Sequence, residues 1–296
     1  MPENQEKKDM FYIVDVFAEE KYEGNQLAVV ICSKNFNENK MQKMAREMNF
    51  SETIFITSLE THDVKIFTPK MELPFAGHPL LGAAYIINRE FMKDNVKTLT
   101  INTSLGPFGI LFKYKGNKIK TIWMSQEEPS FYGFISHDTM AEILNLEESD
   151  FDKRFTIQEV STGLPFIIVP LKNLDALKRA SVNLEKYYDL IVKKSAKSIL
   201  IFCPETRDKN NDLSVRVFSH ALGVPEDPAT GSGNGCLAAY LSKNEYFGKT
   251  NIDIKVEQGY ELGRKSLIHL RCEKIEDKYS ILIGGSAQLI VRGELL

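Results

Sequence analysis

Short runs in which apolar residues alternate with polar ones, or are β-branched throughout, recur along the whole chain. In the first half they are FYIVDVF (11–17), LAVVIC (27–32), TIFIT (53–57), VKIFT (64–68), KTLTINT (97–103) and KIKTIWM (118–124). In the second half they are FIIVPL (166–171), SILIFCP (198–204), LSVRVF (213–218), IDIKVEQ (252–258), SLIHLR (266–271), YSILIGG (279–285) and AQLIVRG (287–293). Such runs predict strands. Spacing near 3.6 residues predicts fewer helices, at about 37–48, 79–90, 138–146, 183–195 and 234–245. Many strands, few helices and no regular βαβ alternation imply an α+β fold rather than a doubly wound parallel sheet.

The pattern also repeats. VKIFTPKMELPFAGHPLLGAAY (64–85) and VRVFSHALGVPEDPATGSGNGCLAAY (215–240) share one grammar. Each is a strand ending in Phe-Thr or Phe-Ser, a linker with Pro and acids, a Gly-rich turn, and a helix closing on Ala-Ala-Tyr. A weaker echo links EGNQLAVVI (23–31) with STGLPFIIV (161–169). Both offsets are near half the chain, which predicts a duplication: two similar lobes joined near residues 115–130, without a disordered linker. A duplicated protein offers a cleft between its lobes as the expected small-molecule site.

The two Gly-rich turns open helices near His78 and Ser232. The first N–H groups of a helix have no internal partner, and the helix dipole adds partial positive charge there. Small residues let a ligand's oxygens approach those amides, so Gly77-His78 and Gly231-Ser232 read as a matched pair of anion sites. One such turn alone would read as ordinary capping by Asp227 or Ser232. A nucleotide site is excluded: there is no GxxxxGK[ST], and Gly231, Gly233 and Gly235 are followed by Cys236 rather than completing GxGxxG.

Composition narrows the class. With 296 residues, 43% hydrophobic and 26% charged, the chain has the makings of a packed core. A net charge of -3 with interspersed signs leaves no basic face for nucleic acid. The opening MPENQEKKDM lacks the apolar run of a secretory signal, and GLPFIIVPL (163–171) is too short and too Pro-broken to span a bilayer. Cys32, Cys203, Cys236 and Cys272 lie far apart, which fits reduced thiols, and the five histidines lack ligand spacing. A soluble, cytoplasmic protein without a bound metal is expected.

Taken together, DVFAEEKYEGNQLAVV (15–30), MNFSETIFI (48–56), FTPKMELPFAGHPLLGAAY (67–85), RVFSHALGVPEDPATGSGNGCLAAYL (216–241) and EQGYELGRKSLIHL (257–270) resemble the phenazine-biosynthesis F-like family, in family order over nearly the whole chain. The resemblance implies the diaminopimelate epimerase-like fold: two pseudo-symmetric lobes, each a curled, mostly antiparallel sheet around a central helix, with the active site between them. It implies that the last strand returns to the first lobe, giving lobes of 1–118 plus 286–296 and of 119–285, and that the chain forms homodimers and uses no cofactor. The best-understood member isomerises 2,3-dihydro-3-hydroxyanthranilate. The family's acid/base glutamate falls on Glu52, and its substrate-orienting residues on His78, Asp227 and Ser232. Gly77, Gly231 and Gly233 are then backbone donors, Thr230 joins them as a substrate-binding residue, and Met48, Phe50, Met71 and Phe218 are candidates for pocket specificity. Epimerases of this fold use a cysteine pair, which the motifs align with Gly82 and Thr230, so two-thiol chemistry is not expected.

The resulting expectation is a cofactor-independent isomerase that relocates a proton on a small carboxylated, cyclic or unsaturated metabolite. Glu52 removes and returns the proton, a task that suits a carboxylate in a dry site. A carboxylate-based amino-acid racemase and a non-catalytic small-acid-binding protein are the alternatives. A hydrolase using Ser232 or Thr230 lacks a GxSxG elbow.

Overall fold

The computed structural model of the chain describes residues 9–32 and 36–295; the first eight residues of the polar opening stretch lie outside them. The described chain divides into two compact units. One holds the residues up to Met124 together with those from Gly285 on, and the other holds Ser125–Gly284.

The first unit contains β1 (Met10–Val16), β2 (Asn25–Ile31), α1 (Glu38–Met48), β3 (Glu52–Ser58), β4 (Asp63–Phe67), β5 (Glu72–Leu73), α2 (Gly77–Ile86), β6 (Thr98–Thr103), β7 (Gly106–Lys115), β8 (Lys118–Ser125) and β18 (Ala287–Glu294). Its sheet runs β18-β1-β2-β3-β4-β6-β7-β8. Successive pairs are antiparallel, antiparallel, parallel, antiparallel, parallel, antiparallel and antiparallel, with β5 added to β4.

The second unit contains β9 (Ser130–Ile135), α3 (His137–Leu144), β10 (Ile157–Ser161), β11 (Pro165–Pro170), α4 (Leu174–Arg179), α5 (Leu184–Ile191), β12 (Ser198–Cys203), β13 (Leu213–Ser219), β14 (Val224–Asp227), α6 (Gly231–Lys243), β15 (Ile252–Gln258), β16 (Ser266–Ile275) and β17 (Lys278–Gly285). Its sheet runs β9-β10-β11-β12-β13-β15-β16-β17 with the same succession of senses, and β14 adds to β13 as β5 does to β4. Two halves of one chain with the same strand order and the same helix inserted at the same place are what a duplication produces, and the fold is α+β.

In each unit one helix is swallowed by the sheet. All ten residues of α2 are buried, against β1, β2, β3, β6 and β18. Twelve of the thirteen residues of α6 are buried, against β10, β11, β15 and β16. Helices apolar all round belong in a core rather than on a surface. The approach is close: a Cβ on Gly82 would lie 2.3 Å from the Leu27 Cδ2 atom, so only hydrogen fits there. Pro79 sits in the first turn of α2, where its missing N–H is not needed. The opposite face of each sheet carries a second layer, α1 in the first unit and α3 to α5 in the second.

Sequence patterning misses β7, β9 and β10, besides the short β5 and β14. In β10, IQEVS, all five residues are buried although three are polar, so no alternation is visible. Its Glu159 carboxylate is satisfied by the Ala196 N–H at 2.6 Å. The glycine-containing strands β7 and β9 break the apolar rhythm, and β9 leaves Tyr132 and Phe134 exposed. No helix among the described residues is long and apolar enough to cross a membrane.

Candidate active site

Strand alternation fixes which way Glu52 faces. Phe55 packs in the cluster beneath α1, so Glu52, Ile54 and Ile56 share the other face, toward α2. There the Glu52 Oε2 atom lies 3.4 Å from His78 Nε2, with side chains 16% and 6% exposed. His78 is the second residue of α2, whose N-cap, Ala76, has no side chain able to cap it. Burial pushes the imidazole pKa down to about 3, against the opposing pull of the Gln26 backbone carbonyl. The ring is therefore neutral at pH 7. His78 Nε2 makes no hydrogen bond, so the Gln26 carbonyl is met by Nδ1–H, which leaves Nε2 as the unprotonated nitrogen of the neutral ring, 3.4 Å from Glu52 Oε2.

The second unit builds its turn differently. Asp227 closes β14, and Thr230 is the N-cap of α6. A threonine at that position ordinarily accepts a hydrogen bond from the helix's first turn. Here its side chain makes no such bond, and its hydroxyl instead donates to Asp227 Oδ2 at 2.5 Å. Gln258, fully buried at the end of β15, stitches the turn together. Its Nε2 donates to the Asp227 carbonyl at 2.7 Å and to Thr230 Oγ1 at 3.0 Å. Its Oε1 accepts from the Thr230 N–H at 3.2 Å and from Asn234 Nδ2 at 2.9 Å. Gly259 follows at φ +78°, and a Cβ there would lie 2.6 Å from the Pro228 carbonyl oxygen, so the Asp-Pro turn and the end of β15 require glycine.

Of the residues expected from sequence, Glu52, His78 and Gly77 come together at the start of α2. Asp227, Thr230, Gly231, Ser232 and Gly233 come together at the start of α6. Two expectations change. The α2 residue that matches Thr230 is Ala76, since both are N-caps, whereas Gly82 lies inside the helix. Neither N-cap carries a thiol. Phe218 belongs to the core cluster beneath α3 to α5, on the sheet face away from α6, so it is not a specificity residue. Cys236 is buried in α6, its thiol pushed up to about 12 by burial and donating to the Leu164 carbonyl at 3.3 Å. Gln258 and Asn234 are the residues that sequence reasoning passed over. The only hint was a neutral amide in EQG, amid a strand otherwise alternating apolar and charged. No group of three or more His, Cys, Asp or Glu side chains suited to a metal occurs among the described residues.

The chain has known relatives. A trans-2,3-dihydro-3-hydroxyanthranilate isomerase of Pseudomonas aeruginosa is 31% identical over 96% of this chain and 98% of its own length. An uncharacterised isomerase of Clostridium acetobutylicum is 32% identical over 98% and 99%. The crystal structure of a PhzF-family phenazine biosynthesis protein from Bacillus anthracis superposes with a TM-score of 0.89 at 29% identity, covering 98% of this chain and 99% of that one. A hydroxyproline epimerase of Agrobacterium vitis shares the fold alone, with a TM-score of 0.62 at 8% identity over 98% and 93%. Residues 14–293 match the PhzC-PhzF family of phenazine biosynthesis-like proteins. The chain belongs to that family and is an isomerase by class.

Proposed function

We propose that the protein is a cofactor-independent isomerase that moves a proton on a small carboxylated, cyclic or unsaturated metabolite, with Glu52 removing the proton from one carbon and returning it to another. The observation that carries this reading is the Glu52–His78 pair, 3.4 Å apart at an uncapped helix start. When Glu52 holds the proton on Oε2, the Nε2 lone pair of neutral His78 is placed to accept it in a hydrogen bond. When Glu52 has given it up, the neutral ring adds no charge to the site. One carboxyl group then serves as base and acid in turn.

The first-turn amides at Gly77, and at Gly231, Ser232 and Gly233, are suited to a carboxylate, each helix start contributing roughly 0.3–1 kcal/mol at an open surface and more when partly buried. Asp227 is an acceptor for a donor group of the substrate. The reading that the chain binds a small acid without converting it predicts tight binding without isotope exchange.

The test uses trans-2,3-dihydro-3-hydroxyanthranilate, the compound named for the Pseudomonas relative, and a panel of carboxylated cyclic dienes and amino acids in deuterated water. Deuterium incorporation and double-bond shift are followed by NMR. Exchange that survives Glu52→Gln, or its absence with every compound, overturns the proposal. Chiral chromatography separates racemisation from isomerisation.

A further inference from the structure

We infer that Gln258 is a positioning residue that keeps the start of α6 open, by holding the Thr230 hydroxyl away from the helix it would otherwise cap. The inference rests on the proposed function in so far as that helix start holds the substrate.

An amide side chain has two donor hydrogens and two acceptor lone pairs on its oxygen. In Gln258 all four are used: Nε2 by the Asp227 carbonyl and Thr230 Oγ1, Oε1 by the Thr230 N–H and Asn234 Nδ2. The amide cannot turn over. Reversed, it would set oxygen against the Asp227 carbonyl, and nitrogen against the Thr230 N–H and the Asn234 amide. Asn234 is itself fixed, since its Nδ2 also donates to the Thr230 carbonyl at 3.0 Å.

A fixed polarity has a consequence for Thr230. Its oxygen accepts from Gln258, and its single hydroxyl hydrogen is donated to Asp227. These two bonds hold the hydroxyl in a position where it makes no bond to α6, and the helix has no side-chain cap. The N–H groups of Ser232 and Gly233, the second and third residues of the helix, are the ones a threonine cap would take. They are left for a ligand.

Adjacent Glu257 supplies the contrast. On the other face of β15 it accepts from the Arg207 and Asp208 backbone N–H groups, from Asn211 Nδ2 and from the Ser214 hydroxyl. It ties down the loop at 207–214, and none of these bonds reaches the Asp227 turn.

Gln258→Leu, with Gln258→Met as a second variant of like length should the first fail to fold, releases Thr230 to cap α6. KM is expected to rise about tenfold with kcat changed far less, the size of effect a blocked helix-terminal anion contact produces. Amide exchange at Gly233 is expected to slow several-fold. In a Thr230→Ala background the same substitution is expected to change neither quantity, because no hydroxyl remains to cap. Glu257→Gln is expected to lower Tm while leaving Gly233 exchange and the KM-to-kcat balance alone. Equal effects of Gln258→Leu in both Thr230 backgrounds, or none on Gly233 exchange, overturn the inference. If the wild type converts none of the compounds tested, the proposed function falls, and Gly233 exchange decides this inference without it.

Discussion

The starts of α2 and α6 are the same device with different equipment. Each is a buried helix entered through a small-residue turn, each lacks a side-chain cap, and each follows a short strand added to the same place in its sheet. At α2 the equipment is ionisable: a glutamate and a neutral imidazole 3.4 Å apart. At α6 it is a locked network in which one glutamine amide satisfies the turn and directs a hydroxyl at Asp227. A duplicated scaffold thus gives one half groups suited to moving a proton and the other half groups suited to holding still. The contrast teaches that the two halves share a buried helix with an uncapped start, and differ in the few side chains placed there.

The contrast breaks most readily at Glu52. Glu52→Gln keeps the shape and hydrogen-bonding reach but cannot carry a proton, and is expected to lower proton exchange by roughly 10²–10⁴-fold, the usual scale for a general acid/base. Asp227→Asn is expected to cost less, mainly in KM, because on the proposed reading the group at α6 binds rather than transfers. Rates for both variants, measured by NMR in deuterated water, check the ordering; equal losses in kcat would erase the division of labour.

Next in size is an effect of acid on stability. His78 titrates near 6.5 when unfolded and at about 3 when folded, because burial disfavours the charged ring. Between those values the unfolded chain binds a proton that the folded chain does not, so stability rises with pH across that window. The contribution is full above 6.5 and is lost progressively as pH falls toward 3. By pH 4 the loss from this group is about 3 kcal/mol. Urea unfolding of wild type and His78→Gln at pH 7 and pH 4 should show the variant losing less by about that amount. The α6 start carries no histidine, so Ser232→Ala should leave the acid limb unchanged.

How much of this was legible beforehand follows from where each signal lies. The buried helices could be read because GHPLLGAAY and GSGNGCLAAY concentrate small and apolar residues after a Gly-rich turn, and a contiguous pattern survives translation into structure. Strand β10 could not, because the partners that make its Glu159 tolerable come from a loop far along the chain. The role of Gln258 is illegible for the same reason: its four partners belong to the Asp227 turn and the first turn of α6, and nothing in EQG indicates them. The motifs named residues that the fold gathers at the two helix starts, but not that Ala76, rather than Gly82, is the counterpart of Thr230. That match needs the helix boundaries, which depend on capping geometry.

The two halves differ also at the sixth helical residue, Gly82 in α2 and Cys236 in α6, and substituting alanine at each asks a matched question. Gly82→Ala puts a Cβ 2.3 Å from the Leu27 Cδ2 atom and 3.1 Å from a Val16 methyl. Overpacking costs about 1–3 kcal/mol, and the better helix preference of Ala over Gly returns about 1 kcal/mol. A net loss of up to about 2 kcal/mol in urea unfolding is expected.

Cys236→Ala runs the other way, removing a buried sulfur and its weak bond to the Leu164 carbonyl, for about 1 kcal/mol. Proton exchange should stay within about twofold of wild type, because a thiol pushed up to about 12 and buried in the helix is neither thiolate nor near the N-cap. Wild-type exchange in Cys236→Ala beside collapsed exchange in Glu52→Gln would place the proton carrier on the carboxylate at α2. Collapse in both would mean that α6 carries acid/base chemistry of its own, and that the duplication kept a reactive group in each half after all.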